Sequence, residues 1–270
     1  MAETKTAIEK YIDEKKKLQK LVLNIIDEIN PDEISYQNLL TFLDNSQYKD
    51  NKSELKHFLH FILIISTNHH REPNFFNKIE KILTLSSKFY QPIFSNKELF
   101  LIFYESKPIL LFLLKSKIIT IDEIIFRQLT CFSEMIENKR YYYFYPELKS
   151  IIKSGTIKNI DEQKYQIELN EDIENFEINR QTFENESKLC HIIRNDLIDD
   201  FIQYVNQFNI SLSSQIQRSL FETNSIFLEK EPTLIEYATF YGSIRIMSYL
   251  YINKVELSPT LWLYGVHSNN

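Results

Sequence analysis

The stretch that decides the fold is Thr233-Leu234-Ile235-Glu236-Tyr237-Ala238-Thr239-Phe240-Tyr241-Gly242-Ser243-Ile244-Arg245-Ile246-Met247-Ser248-Tyr249-Leu250. Gly242 lies four residues after Ala238, and Ile246 and Leu250 follow at four and eight. This spacing predicts two helices that reverse at Gly242 and bury one face each. Small residues are scarce elsewhere. The 270 residues hold only three alanines (Ala2, Ala7, Ala238) and three glycines (Gly155, Gly242, Gly265), against 38 isoleucines, 20 phenylalanines and 16 tyrosines. One of each, Ala238 and Gly242, falls in this stretch. Gly242 allows a tight reversal.

The pattern returns. Tyr237-Ala238 is echoed 27 residues later by Tyr264-Gly265, inside Leu257-Ser258-Pro259-Thr260-Leu261-Trp262-Leu263-Tyr264-Gly265. Upstream, Leu189-Cys190-His191-Ile192-Ile193-Arg194-Asn195-Asp196 followed by Phe201 has similar spacing without a glycine. Between these, Ser211 to Glu231 reads as an insertion with one extra helix over 213–228. Further back, Leu113-Leu114-Lys115-Ser116-Lys117-Ile118 parallels Leu250-Tyr251-Ile252-Asn253-Lys254-Val255.

The 233–250 pattern resembles the ankyrin core, in which T-P-L-H-x-A opens a repeat of about 33 residues. Longer phrases carry the resemblance further: Pro232 to Ile244, Leu257 to Tyr264, His69-His70-Arg71 with Pro73-Asn74-Phe75-Phe76, and Tyr143-Phe144-Tyr145-Pro146-Glu147. They are similar to the large ankyrin-repeat family of parasitic protists, where a helical region precedes the repeats. The resemblance implies an all-α fold and a protein-binding scaffold, and it brings no catalytic residues to transfer. Ala238, Gly242, Ile246, Leu250 and Gly265 are the repeat-structural positions it points to. On this reading the last repeat is incomplete and its final helix lies open.

Helical spacing dominates the rest of the chain. Leu18, Leu21, Val22, Ile25, Ile26 and Ile29 form one stripe, broken at Asn30-Pro31-Asp32. Ser53, Asn74 and Asn96 are expected as helix caps, and Thr120 with Glu123 as a capping box. Ten to thirteen helices are expected, and no hairpin signal appears. Residues 154–186 differ: nine acids face two bases between 161 and 186, a local charge of −7 within a chain of −6. They read as an extended acidic connector, the alternative being an irregular part docked on one continuous domain. The expected organisation is therefore all-α: a multi-helix N-terminal lobe (1–153), the acidic connector (154–186), and ankyrin-like repeats (187–270).

Composition narrows the function. Gly-rich phosphate loops and Rossmann turns need clustered glycines, which are absent. A pI near 5.6 leaves no basic nucleic-acid footprint. The longest apolar runs, 58–65 and 108–114, are too short to span a bilayer. Cys131 and Cys190 form no disulfide framework, and the charged first ten residues do not read as a signal peptide, so an intracellular, cytoplasmic protein is expected. His57, His60, His69 and His70 lack the convergent partners of a zinc site, and Cys190 and His191 are adjacent on a helix and do not face each other. Lys15, Lys16 and Lys17 are balanced by Asp13 and Glu14 on a surface helix. Tyr141 to Tyr145 read as helix-end packing. No catalytic residue, metal or cofactor is expected.

The expected partners are proteins. Tyr237, Phe240 and Tyr241 on the inner helix face, and Trp262 on the last helix, are the candidate binding residues. The competing expectation is that the first three pack against the extra inserted helix. The final helix, uncharged and holding the only Trp, is expected to self-associate. Two other functions remain open at this level: an enzyme or small-molecule sensor in the N-terminal lobe, or a truncated paralogue without independent function.

Overall fold

The computed structural model describes residues 2–68, 74–130, 139–154 and 173–267. Sixteen helices and no strand occur among them, so the fold is all-α. The chain forms two compact units, Met1–Ser66 with Arg71–Thr120, and Thr67–His70 with Ile121–Asn270. The division falls at Thr120, ahead of the boundary expected at 153.

The first unit holds α1 (Ala2–Asp27), α2 (Glu33–Asn45), α3 (Lys52–Asn68), α4 (Phe75–Tyr90), α5 (Asn96–Ile102) and α6 (Lys107–Lys115). The stripe of α1 buries Leu18, Val22, Ile25 and Ile26 against α2 and α4. No basic residue lies in its last turn. Lys78, buried on α4, supplies the cation instead, its ammonium donating to the carbonyls of Ile26 and Glu28 at 2.6 Å each. A helix C-terminus carries orphan carbonyls and partial negative charge, so a cation is stabilising there.

Three expected caps shift by one or two residues. Asn51, not Ser53, accepts the first amides of α3. Ser95 opens α5 in a full capping box with Glu98, while Asn96 bonds Thr120 instead. Asp122 accepts the Ile125 amide at the start of α7 (Glu123–Thr130), the place expected for Thr120 and Glu123. Asn96 and Thr120 are drawn off by each other, which leaves the caps to Ser95 and Asp122. Asn74 does precede α4, at φ 67°, but its side chain makes no cap bond to backbone.

The second unit continues with α8 (Lys139–Tyr143), α9 (Tyr145–Ser154) and α10 (Ile173–Thr182). Residues 155–172, the larger part of the expected connector, lie outside the described residues, as do His69, His70 and Cys131. The rest of the connector is not extended: α10 buries Phe176 and Arg180. The Arg180 guanidinium grips Glu147 with both Nη atoms (2.6 and 2.9 Å), Glu177, and the Tyr143 carbonyl (3.0 Å). This fastens α10 to α8 and α9 and explains why residues 139–154 belong to the second unit.

Six helices complete the unit: α11 (Lys188–Arg194), α12 (Ile198–Gln207), α13 (Ser225–Glu229), α14 (Leu234–Phe240), α15 (Ile244–Ile252) and α16 (Leu261–His267). α11 packs on α12 and α14 on α15. The first helices α11, α14 and α16 contact in succession, and so do the second helices α12 and α15. The expected inserted helix over 213–228 shrinks to α13. Before it the chain runs extended, with Ile216 donating to Pro232 and Leu234 to Ser214. Those bonds draw 214–216 out of helical geometry.

Candidate partner-binding surface

The turns between paired helices are built alike. In α14–α15 the amides of Tyr241, Gly242, Ser243 and Ile244 donate to Tyr237, Thr239, Ala238 and Gly242. In α11–α12 those of Asn195, Asp196, Leu197 and Ile198 donate to His191, Ile193, Ile192 and Asp196. Gly242 has φ 66° and Asp196 φ 49°. Where the α14–α15 turn has a glycine the α11–α12 turn has an aspartate, one of the few residues that tolerates the left-handed region. The two turns also clamp each other. The Asp196 carboxylate accepts from the Arg245 and Ile246 amides at 3.0 Å each, and the buried Ser243 hydroxyl donates to the Ile193 carbonyl.

The ends of the second helices repeat too. Asn253, Lys254 and Val255 donate to Tyr249, Tyr251 and Leu250, and Ser116, Lys117 and Ile118 donate to Phe112, Leu114 and Leu113. Lys254 and Lys117 have φ 60° and 57°. The parallel between 113–118 and 250–255 is thus a parallel of backbone.

Of the residues expected at repeat-structural positions, Ala238, Ile246 and Leu250 are fully buried. Gly265 lies in α16, where an added Cβ would sit 3.6 Å from Thr239 Cγ2, an ordinary contact. The position accepts an alanine as the Ala238 position does, so its glycine answers to no backbone need.

The candidate binding residues divide. Tyr237 and Phe240 are buried and Tyr241 is half-buried, which removes the first two as surface anchors. The cause is Phe227 of α13. Its ring centroid lies 5.0 Å from Tyr237, 4.6 Å from Phe240, 6.2 Å from Tyr241 and 6.4 Å from Tyr264. The insertion fills the face that these aromatics would have offered. Behind them Arg194 donates to the Tyr237 hydroxyl and to the Asn185 carbonyl, both at 2.8 Å, and pairs with Glu184 at 2.9 Å. Burial pushes the Tyr237 phenol far above its ordinary range, and pushes the Cys190 thiol up to about 11. Neither is a base or nucleophile at neutral pH. A small cleft beside them, lined by Asn185, Ile216, Glu222, Phe227 and Tyr237, has about 10 Å³ of free space, room for one water.

Trp262 is different. It is 67% exposed, with Val266 at 71% and Leu263 at 44% on the same helix, while Tyr264 turns inward. Tyr251 and Ile252 stand exposed at the end of α15. Among the described residues no group of three or more His, Cys, Asp or Glu is placed to hold a metal ion, and no helix is long and apolar enough to cross a membrane. The competing expectation, packing against the inserted helix, is the one the structure follows, through a Phe227 that sequence reasoning did not single out; Arg194 and Asp196 it missed. Only Asp196 carried a local signal, since Asn195-Asp196 are residue types that enter left-handed turns.

A scan against protein-family models and searches of the curated proteins and of the solved structures return no match for this chain.

Proposed function

We propose that residues 187–267 are a short ankyrin-like stack of helix pairs, and that the chain is a non-catalytic protein-binding scaffold. The observation that carries the reading is the repeated turn: two helix pairs close through the same four backbone bonds, with a left-handed residue at the same place, and each turn caps the other. A stack built this way presents side chains along an extended surface, which suits recognition of another protein. Because Phe227 occupies the Tyr237–Phe240 face, the exposed face of α16 at Trp262, Leu263 and Val266 is the better candidate surface. The resemblance to the protist ankyrin-repeat family belongs to this proposal.

Affinity capture with the full chain, against a chain lacking 187–270, tests the function. A protein retained only when 187–270 is present supports the scaffold reading. Retention independent of that segment, or a catalysed turnover mapped to residues 1–120, would overturn it.

A further inference from the structure

Seven prolines occur in the chain, and only Pro259 follows a serine or threonine. Ser258-Pro259 lies in residues 253–260, between the end of α15 and the start of α16. Leu257, Pro259 and Thr260 are exposed there, and Ser258 is half-buried. The Ser258 hydroxyl accepts from the Thr260 amide at 3.2 Å and shares a hydrogen bond of 2.8 Å with the Thr260 hydroxyl, while its carbonyl accepts from the Leu261 amide at 3.0 Å. The same hydroxyl faces the Glu236 carboxylate of α14. Glu236 is fully buried, and its oxygens already accept from the Thr233 amide and hydroxyl and from the Lys230 ammonium. Ser258 thus stands between the start of α16 and a buried anion on the helix that α16 packs against.

We propose that Ser258 is a phosphorylation site for a proline-directed serine/threonine kinase, and that the phosphate releases α16 from α14. In the transfer, Ser258 Oγ bonds to the γ-phosphorus of a nucleoside triphosphate. The bond from that phosphorus to the β,γ-bridging oxygen breaks, the nucleoside diphosphate leaves, and the hydroxyl proton passes to the kinase's own base. The product carries about two negative charges at neutral pH, and beside a carboxylate such a group disrupts by like-charge repulsion. Glu236 cannot turn away without giving up the Thr233 cap. Lys230, its paired cation, is 56% exposed, and one ammonium does not offset both anions. α16 has little to resist with. Residues 261–266 carry no charge, and the helix buries Tyr264 with Leu261 half-buried beside it. A helix of seven residues does not persist without its packing. Its release uncovers the side of α14 at Thr239, which now meets Gly265, and dissolves the arrangement of Trp262, Leu263 and Val266. Only the consequence for partner binding rests on the scaffold reading above; the phosphorylation and the release do not.

The experiment incubates the full chain with a purified proline-directed serine/threonine kinase and magnesium ATP, locates the phosphate by mass spectrometry, and follows amide exchange over 244–267. Ser258→Ala and Pro259→Ala are run beside it, the first lacking the acceptor and the second the proline that the kinase reads. The expected result is a phosphate on Ser258, absent from both variants, with exchange over 261–264 accelerated roughly tenfold or more and that over 244–252 unchanged. No phosphate on Ser258 overturns the site. Phosphate on Ser258 of Pro259→Ala at the wild-type rate overturns its assignment to a proline-directed kinase. Phosphate on Ser258 with exchange over 261–264 unchanged overturns the release, and slowed exchange overturns it too, by showing that the phosphate fastens α16 instead. Partner capture enters none of these readouts, so the scaffold reading stands or falls separately.

Discussion

At the scale of single residues, Asp196 and Gly242 do the same backbone work by different means. Gly242 enters the left-handed region without steric cost, whereas a β-branched side chain there is strained. Gly242→Val is expected to cost about 1–3 kcal/mol, read as a lowered denaturation midpoint. Asp196 offsets its own conformation by capping α15, so Asp196→Ala loses two amide bonds and costs about 1–2 kcal/mol. Gly265 lies in a helix with room for a Cβ. Gly265→Ala is therefore expected to raise stability by roughly 0.5–1 kcal/mol, because alanine loses less freedom in a helix. Ala238 is fully buried, so Ala238→Leu overpacks its seam and costs about 1–3 kcal/mol. Equal denaturation midpoints for wild type, Gly242→Val and Ala238→Leu would remove the helix-pair account at its strongest point.

At the scale of elements, α10 depends on one buried guanidinium. Its surroundings give Arg180 two carboxylates, a carbonyl and the flanking rings of Tyr143 and Phe176. Removing one partner of a buried pair leaves charge uncompensated, typically at about 3–5 kcal/mol. Arg180→Met is expected to accelerate amide exchange throughout 173–182, and Arg180→Met with Glu147→Leu to recover part of the protection. Unchanged exchange in the single variant would show that Phe176 alone holds the helix. The helices α5 and α14 begin instead with matching capping boxes, Ser95 with Glu98 and Thr233 with Glu236. There the signal is local: a hydroxyl and a carboxylate three residues apart satisfy two orphan amides. The positions of such caps were legible in sequence to within a residue or two. The choice between adjacent candidates was not, because Asn96 is drawn away by Thr120, 24 residues on.

For the whole molecule, the same carboxylates set an acid limit. Burial raises the Glu236 pKa, but the Thr233 amide, Ser258 and Lys230 outweigh it, so the carboxyl is held below its ordinary value of 4.5. Lys52 and the Ser95 amide hold Glu98 at about 2. A carboxyl with a lowered folded pKa stabilises the protein above its unfolded pKa, and that stability is lost as pH falls toward the folded value. Thermal midpoints are therefore expected to be flat from pH 7 to about 5 and to fall below about pH 4.5. Glu236→Gln should lower the midpoint at pH 7 and reduce the acid slope; an unchanged slope would assign it to other groups. The sequence by itself determined the helical class, the reversal at Gly242 and the shared ending of 113–118 and 250–255. Each is a property of hydrogen bonds spanning five residues or fewer and of one left-handed residue. The tertiary structure alone decided between the two readings of Tyr237 and Phe240, placing both in the core, and docked α10 on its neighbours. Both depend on partners brought near by folding, Phe227 for the aromatic face and Glu147 for Arg180, across distances that no local periodicity records.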